Sequence, residues 1–395
     1  MFVITILTII YGYTGLRLIS PAYFSTSWNW VLWILVLILL FTLILPIFLR
    51  KSTLGGKWIG FFAWIGYTAF ALFLVTFLLL VTRDGIWLLK GGVQYVYAFS
   101  RDVLGLSVDI EGAIDPERRK VLTNTMNVGL LSLSAALTAY GFYQARRTPG
   151  IKRVSVPVEN LHPDLEGFRI VQITDLHVGP TIKRDYVQSV VDQINSLSPD
   201  ILAVTGDLVD GSVSDLQDDV APLGNIKTRY GSYFVTGNHE YYSGAEQWIE
   251  ELKRLGYKVL MNEHEILIHK NARLLLAGIT DYKAKDFITS HKSDPEKALE
   301  GAPENDMKVL LAHQPRSVFA SSKAGFDLQI SGHTHGGQFF PWNLAVSYEQ
   351  PYLRGLNRHE STWVYVSRGT GYWGPPLRLG FPSEITLITL TGQGT

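Results

Sequence analysis

Residues 168–177 read FRIVQITDLH, and this stretch indicates the fold class of the second part of the chain. Its apolar run predicts a buried β-strand, and the aspartate and histidine that follow are common metal ligands. The same order recurs in DILAVTGDLVD at 200–210, GSYFVTGNHE at 231–240, MKVLLAHQP at 307–315 and DLQISGHTH at 327–335. Because ligands collect at the carboxyl ends of strands in α/β sheets, we expect these five polar segments to converge.

The pattern of residues 151–395 predicts an α/β domain. Short β-rich runs alternate with helix-like stretches such as Tyr186–Leu197 and Ala245–Leu255, and Pro199 and Gly231 mark returns from helix to strand. The predicted strands are Phe168–Thr174, Ile201–Thr205, Tyr233–Thr236, Leu274–Ala277, Val309–Ala312, Leu328–Ile330, Trp363–Val366 and Ile385–Leu390.

The spacing of the polar residues suits a metal centre. On an extended segment, residues i and i+2 point to the same side, so Asp175 and His177 can hold one ion together. The same holds for His333 and His335, although a turn there would direct the two rings at different ions. Carboxylates mixed with neutral imidazoles favour Mn²⁺, Fe, Zn²⁺ or Co²⁺ over Mg²⁺ or Ca²⁺. The ligands outnumber the needs of one ion, which indicates two ions about 3.5–4 Å apart that share a carboxylate.

Residues 1–150 predict a membrane anchor. They contain 12 Lys and Arg against 6 Asp and Glu, whereas residues 151–395 contain 23 against 29. Uncharged runs at 28–49, 58–82 and 121–145 are long enough to span a bilayer, which takes about 20 apolar residues. Residues 1–20 predict a fourth, shorter span, and residues 86–100 predict an interfacial or re-entrant piece. The chain has no cysteine, which excludes disulfides and Cys-based zinc sites.

One segment bears on the orientation of this anchor. ERRKVL at Glu117–Leu122, followed by an apolar run rich in Ala, Ser and Gly, is similar to a twin-arginine export signal placed internally. Such a signal favours export of the C-terminal domain. An ordinary basic helix flank accounts for the same residues equally well, and the positive charges beside the spans do not decide between the two sides.

The five blocks together resemble the calcineurin-like metallophosphoesterase superfamily. Its pattern is D-x-H, G-D, G-N-H-[DE], a lone H and G-H-x-H, and the chain carries TDLH, TGDLVD, TGNHE, LAHQP and SGHTHGG in that order. The resemblance extends from about Phe168 to the C-terminus and implies a four-layer α/β/β/α sandwich of two mixed sheets flanked by helices. Members with several N-terminal spans include membrane-bound or exported phosphodiesterases, and some relatives cleave a lipid pyrophosphate.

The resemblance also implies roles for eight residues. Asp175, His177 and His335 would bind the first metal, Asn238, His313 and His333 the second, and Asp207 would bridge both. A metal-bridging hydroxide would attack the phosphorus, and His239 would act as general acid rather than ligand. The implied cofactors are two divalent ions among Mn, Fe, Zn and Co, with manganese favoured.

These observations predict a membrane-anchored hydrolase that cleaves a phosphodiester or pyrophosphate, and the anchor favours a lipid-linked substrate. A phosphomonoesterase acting on soluble substrates and a non-catalytic metal-binding membrane scaffold are the alternatives. Nucleic acid is not favoured as a partner, because residues 151–395 carry an excess of negative charge and lack a basic stripe.

Residues beside the motifs have two interpretations each. Asp210 is favoured as a surface or supporting carboxylate rather than a ligand, and Glu240 either orients a site residue or caps the next segment. Arg378 either meets a phosphate or forms a structural ion pair, and FFPW at 339–342 is favoured as core over bilayer contact. Candidates for a substrate groove are Tyr241, Tyr242, Tyr372 and Trp373. The histidines assigned to the surface are His162, His264, His269, His291 and His359.

Overall fold

A computed structural model describes residues 2–20, 24–49, 56–104 and 115–392 of the chain. The chain divides into two compact units, Met1–Tyr140 and Gly141–Thr395. The domain boundary placed after residue 150 from the sequence stays a prediction.

The first unit is helical. Its helices are α1 (Phe2–Ile19), α2 (Thr26–Leu49), α3 (Gly56–Val103) and α4 (Pro116–Arg146), whose last turns belong to the second unit. Segments of three of them are long and apolar enough to cross a membrane: Thr26–Pro46, Trp58–Val103 and Glu117–Arg146. They overlap the predicted spans 28–49, 58–82 and 121–145, and the second extends 21 residues beyond its prediction. The apolar stretch of α1, Ile4–Ile19, is shorter, so the fourth span stays a prediction, and Met1 of that span lies outside the described residues.

Helix α3 differs from the sequence-based prediction. Residues 86–100 continue the helix without a break, so a re-entrant turn is wrong for this segment. The 48 residues of α3 contain no proline, and the pair Gly91 and Gly92 costs about 1 kcal/mol per residue, which does not terminate an otherwise favourable helix.

A polar cluster links three helices within the first unit. Arg17 of α1 lies 2.6 Å from Asp84 of α3, and Arg83 lies 2.7 Å from the same carboxylate. Asn127 of α4 donates through Nδ2 to the backbone oxygen of Arg17 at 2.9 Å. Since Arg83 directly follows the uncharged run 58–82, the charges lie where the apolar part of α3 ends.

The second unit contains two six-stranded sheets in the part of the chain that the structure describes. The first sheet has the order β1-β12-β2-β3-β4-β5 and the second β10-β11-β9-β8-β7-β6. Each is mixed, with a parallel centre formed by β2 to β5 in the first sheet and by β7, β8, β9 and β11 in the second. The strands are β1 (Gly150–Val158), β2 (Arg169–Ile173), β3 (Ile201–Val204), β4 (Ser232–Phe234), β5 (Tyr257–Val259), β6 (Glu263–His269), β7 (Ala272–Gly278), β8 (Met307–Leu311), β9 (Leu328–Ser331), β10 (Gly355–His359), β11 (Thr362–Val366) and β12 (Glu384–Gly392).

The inner faces of the two sheets pack against each other. Ile170, Ala203 and Tyr233 of the first sheet share one buried apolar cluster with Val309 and Ile330 of the second. Full burial of the Ile170, Val309 and Ile330 side chains stabilises the fold by about 1.5–3 kcal/mol each. This interface brings the ends of the central strands of both sheets to a common edge.

Helices cover the outer face of the first sheet. They are α5 (Arg184–Leu197), α6 (Val213–Val220) and α8 (Ala245–Arg254), whereas α7 (Asn238–Ser243) begins in the loop after β4. In α5 the buried residues Val187, Val190, Val191 and Ile194 recur at helical spacing and form the apolar stripe that meets the sheet. The helix ends at Leu197 because Ser198 adopts a left-handed conformation and Pro199 follows.

Short elements cover the outer face of the second sheet. Ala298, in a 3₁₀ turn, and Phe326 pack on Leu275 and Leu310, and Val318 at the start of helix α9 (Val318–Ser321) packs on β11. A further helix, α10 (Trp342–Glu349), follows the loop after β9. The predicted fold class, two mixed sheets flanked by helical layers, is confirmed, with the second outer layer made mostly of single turns.

Candidate metal centre

Five loops at the carboxyl ends of parallel strands carry the predicted site residues. The loops after β2, β3 and β4 come from the first sheet, and those after β8 and β9 come from the second. In chain order they bring Asp175 and His177, Asp207, Asn238 and His239, His313, and finally His333 and His335. The expected convergence of the five segments is therefore present in the structure.

The loops reach this arrangement through left-handed backbone conformations. The non-glycine site residues with positive φ are Asp175 (52°), His177 (52°), Asp207 (51°), His333 (69°) and His335 (51°). Such conformations are uncommon for non-glycine residues and tend to cluster at functional sites. The extended Asp-x-His geometry inferred from the sequence is wrong, because both residues have positive φ in the loop beyond the end of β2.

Asp175, His177 and His335 form the first cluster, in which one ligand atom of each lies within 4.8 Å of the others. The Nε2 atoms of the two imidazoles lie 3.0 Å apart, and His335 Nε2 lies 3.5 Å from Asp175 Oδ1. Burial, followed by the charges of His177 and of the Arg378 guanidinium, holds the pKa of His335 well below its usual range. The lowered pKa favours the neutral imidazole, which is the form that binds a metal.

Asp207, His313 and His333 form the second cluster. His313 Nδ1 lies 2.7 Å from the backbone oxygen of Thr205, to which it donates, so Nε2 is the ring nitrogen that faces the centre. That Nε2 lies 3.2 Å from Asp207 Oδ2 and 3.1 Å from His333 Nδ1. A ring nitrogen this close to a carboxylate oxygen needs a proton or a metal cation between the two atoms. Accordingly, although burial lowers the pKa of His313, Asp207 raises it well above the usual value.

Asp207 Oδ2 faces both clusters. Besides His313, it lies 4.0 Å from His177 Nε2 and 4.0 Å from His239 Nε2. This position is the one expected of a carboxylate shared by two ions. The turn of His333-Thr334-His335 sends His333 to the second cluster and His335 to the first, which is the alternative that the sequence left open for these two rings.

The donor set fits divalent cations. Asn238 Oδ1 is buried and has no hydrogen-bond partner among the described residues, which is costly for a polar atom unless a cation or water binds it. Two pairs of imidazole nitrogens face each other, and two carboxylates lie among them. Nitrogen and carboxylate ligands of this kind suit Mn, Fe, Zn or Co, and the geometry does not select one of them.

His239 is held at the edge of the centre by Asp210. Its Nδ1 pairs with Asp210 Oδ1, while Asp210 Oδ2 lies 3.2 Å from His177 Nδ1. Burial lowers the pKa of His239, but Asp207 and Asp210 outweigh it and raise the pKa to about 9. Burial in turn raises the pKa of Asp210, and the two histidines lower it more strongly. Asp210 is thus a supporting carboxylate, the interpretation favoured from the sequence.

Glu240 fixes the loop that carries Asp207. Its carboxylate accepts from the backbone N–H groups of Asp207 at 3.0 Å, Leu208 at 2.7 Å and Gly237 at 2.7 Å. Burial and the charge of Asp207 raise the pKa of Glu240 to about 7. The two roles considered from the sequence are therefore combined, since Glu240 caps the start of α7 and orients the loop of the second strand.

Glycines allow the loops to approach one another. A Cβ on Gly237 would lie 2.2 Å from Asp207 Oδ1, and a Cβ on Gly332 would lie 2.3 Å from Asp175 Oδ2. Real Cβ atoms do not approach other atoms so closely, so these two positions exclude any side chain. The close backbone approach is a direct requirement of the centre.

Comparison with known proteins decides the family. The model of the calcineurin-like phosphoesterase family matches residues 168–337. An uncharacterized metallophosphoesterase of Helicobacter pylori is 37% identical over 301 residues, which cover 74% of this chain and 78% of that protein. The chain belongs to the calcineurin-like phosphoesterase family. The matched segment contains all eight predicted site residues.

Two vertebrate relatives of this family member are named transmembrane protein with metallophosphoesterase domain. The protein of Danio rerio is 41% identical over 268 residues, covering 66% of this chain and 61% of that protein. The protein of Bos taurus is 39% identical over 290 residues, covering 71% of this chain and 65% of that protein. The chain therefore spans less than two thirds of the length of each.

The burial and contacts of several residues in this phosphoesterase family member differ from the sequence-based predictions. Arg378 is fully buried and donates to the backbone oxygens of Gly371, His335, Phe381 and Arg368, so neither a phosphate contact nor an ion pair describes it.

Tyr241 and Tyr372 are buried, which removes them from a substrate groove, whereas Tyr242 and Trp373 are exposed. Phe339 is buried, but Phe340 and Trp342 are exposed, so only part of FFPW is core.

One further histidine corrects the sequence analysis. His269 is buried, and its Nδ1 lies 2.8 Å from the hydroxyl of Tyr230, so its assignment to the surface is wrong. No motif surrounds it in the sequence, and its burial follows from its position in β6, where it packs on Phe168 just before β2. His162, His264, His291 and His359 are partly exposed.

Proposed function

We propose that this family member is a membrane-anchored phosphoesterase that uses two divalent metal ions. The observation that carries the proposal is the position of Asp207, whose Oδ2 faces the first cluster, the second cluster and His239 Nε2. Few structural ion-pair networks would place a carboxylate among three imidazoles that belong to separate loops. The names of the relatives, metallophosphoesterases in each case, support the same activity.

The eight residues have distinct proposed roles. Asp175, His177 and His335 would bind the first ion, Asn238, His313 and His333 would bind the second, and Asp207 would bind both. Bound ions of this kind supply a water molecule of lowered pKa and neutralise charge on the phosphoester. Manganese is the ion we favour.

The protein contributes a proton from Nε2 of His239. Asp210 holds His239 by Nδ1, which leaves Nε2 directed at the centre. Asp207 and Asp210 favour the imidazolium form of His239, and in that form Nε2 can give a proton to the leaving oxygen. His239 is the proposed general acid, and Asp210 is its positioning residue.

The proposed substrate is a phosphodiester or a pyrophosphate. A lipid-linked substrate is favoured because three described helices are long and apolar enough to place the chain in a bilayer. We further propose a multi-pass arrangement with the C-terminal domain on the exported face, on the evidence of ERRKVL at Glu117–Leu122.

The test is hydrolysis by the full chain in detergent. Bis-p-nitrophenyl phosphate and p-nitrophenyl phosphate are compared with Mn²⁺, with chelator, and in His239→Ala, while bound metal is counted by mass spectrometry. His359→Ala, a change at a partly exposed histidine outside the centre, is the matched control. We expect metal-dependent cleavage of the diester that falls about 10²–10⁴-fold in His239→Ala with both ions retained.

Two other outcomes would favour the alternatives. A preference for the monoester would indicate a phosphomonoesterase. Two bound ions with no turnover of either ester would indicate a metal-binding scaffold and would contradict the proposal.

A further inference from the structure

Four aromatic side chains form a continuous surface beside His239. The ring centroids of Tyr242 and Trp373 lie 5.1 Å and 6.1 Å from that of His239. Phe287 packs on Tyr242 at 5.4 Å, and Trp342 lies 6.3 Å from Trp373. We call Tyr242, Phe287, Trp342 and Trp373 the aromatic rim.

The aromatic rim is exposed although such rings are usually buried. The exposed fractions are 59% for Tyr242, 50% for Phe287, 46% for Trp342 and 43% for Trp373. Trp373 is nevertheless fixed in place, because Gln338 donates to its backbone oxygen at 2.8 Å and accepts from its backbone N–H at 3.0 Å. Contiguous exposed apolar surface on a folded domain commonly marks a binding site.

Two basic side chains near the aromatic rim already face a carboxylate. Lys283, which lies close enough to Tyr242 for their charges to interact, pairs with Glu349 at 3.0 Å. Arg316 lies 3.8 Å from the same carboxylate and stacks on Tyr282. The uncharged faces of the rim therefore suit an apolar group better than a phosphate or a polyanion.

The position of His239 indicates on which side of the phosphorus the aromatic rim lies. Under the proposed function, His239 gives its proton to the leaving oxygen, so the leaving group must lie next to the His239 ring. Two rings of the aromatic rim pack on that ring. We infer that the aromatic rim is the leaving-group subsite and that the leaving group is an alcohol with an apolar body, an inference that rests on the proposed function.

Three esters of matched reactivity test this inference. Methyl 4-acetylphenyl phosphate is the reference, and methyl 4-octanoylphenyl phosphate adds six methylenes to the leaving phenol without changing its acidity appreciably. Octyl 4-acetylphenyl phosphate instead carries an octyl chain on the side that stays with phosphorus. Each is assayed below its micellar concentration with the full-length chain, in detergent and with Mn²⁺.

The compared quantity is the ratio of kcat/KM for each long ester to that of the reference, in wild type, Tyr242→Ala and Trp373→Ala. Phe319→Ala is the control, because Phe319 is also 50% exposed but packs on His359. We expect kcat/KM to be about tenfold higher for the octanoylphenyl ester than for the reference. This factor corresponds to burial of roughly two of the added methylenes. The gain should be lost in both rim variants and kept in Phe319→Ala.

Three results would overturn the inference. An equal gain for the octyl ester would indicate partition into detergent or a subsite on the opposite side of the phosphorus. A gain that survives in both rim variants would assign the aromatic rim to another contact, such as the bilayer surface. No turnover of any ester by metal-loaded protein would contradict the proposed function itself and this inference with it.

Discussion

Asp210 binds His239 through Nδ1 and thereby directs Nε2 of that ring toward Asp207. If this pairing positions the ring, Asp210→Asn should lower kcat about 10–100-fold, leave KM within a few-fold, and leave both metal ions bound. Steady-state kinetics together with metal counting check this prediction. A change in KM alone, or loss of an ion, would show instead that Asp210 acts through His177, whose Nδ1 lies 3.2 Å from it.

Glu240 should be important for stability as well as for the centre. Glu240→Gln replaces one acceptor oxygen by an NH₂ group that opposes backbone N–H donors, and each buried donor left unsatisfied costs about 1–3 kcal/mol. We expect a melting temperature several degrees lower, with weakened metal binding. Glu250→Gln removes a carboxylate of the same type that is 73% exposed and paired with Lys253, and it should change stability by less than about 1 kcal/mol. Equal effects of the two changes would contradict the role given to Glu240.

The close approach of the loops predicts a steric effect of Gly332→Ala. The added Cβ would lie 2.1 Å from Thr174 Oγ1 and 2.3 Å from Asp175 Oδ2, so the first cluster must open. We expect loss of one bound ion per chain, measured by mass spectrometry. Gly150→Ala is the control, since nothing lies within 4 Å of the position that its new methyl group would take and its φ lies outside the left-handed region. Retention of two ions in Gly332→Ala would refute the prediction.

The left-handed conformation of His335 predicts that glycine at this position is more stable than alanine, the reverse of their usual order. His335 has a φ of 51°, which disfavours alanine by about 1 kcal/mol relative to glycine. Both changes remove the imidazole, so metal binding is impaired equally. In metal-free protein, His335→Gly should therefore melt at a higher temperature than His335→Ala. The opposite order would show that this backbone conformation is not strained.

The absence of cysteine allows the membrane orientation to be tested directly. Lys297→Cys lies on the exposed surface of the C-terminal unit, and Lys120→Cys lies near the start of α4. If the C-terminal domain is exported, a membrane-impermeant maleimide should label the first variant in intact cells and the second only after permeabilisation. The reverse pattern would place the domain in the cytoplasm.

The eight strands recognised in the sequence are all present, and the four that were missed are β1, β5, β6 and β10. These four are the outermost strands of the two sheets. An interior strand such as β3 is buried along its whole length and reads as a continuous apolar run, whereas β10 has no fully buried residue. Hydrophobic pattern detects burial, so it detects the centre of a sheet better than its edges.

The sequence by itself determined the residue types of the centre, their order and their place at the ends of apolar strands. Only the tertiary structure decided which of them meet. His333 and His335 are two residues apart yet belong to different clusters, because a turn with positive φ separates their rings. The burial of Arg378, the support that Asp210 and Glu240 give, and the aromatic rim likewise arise from contacts between distant segments. Local patterns record propensity and periodicity, but a site assembled from five loops is specified by the packing of the two sheets that carry them.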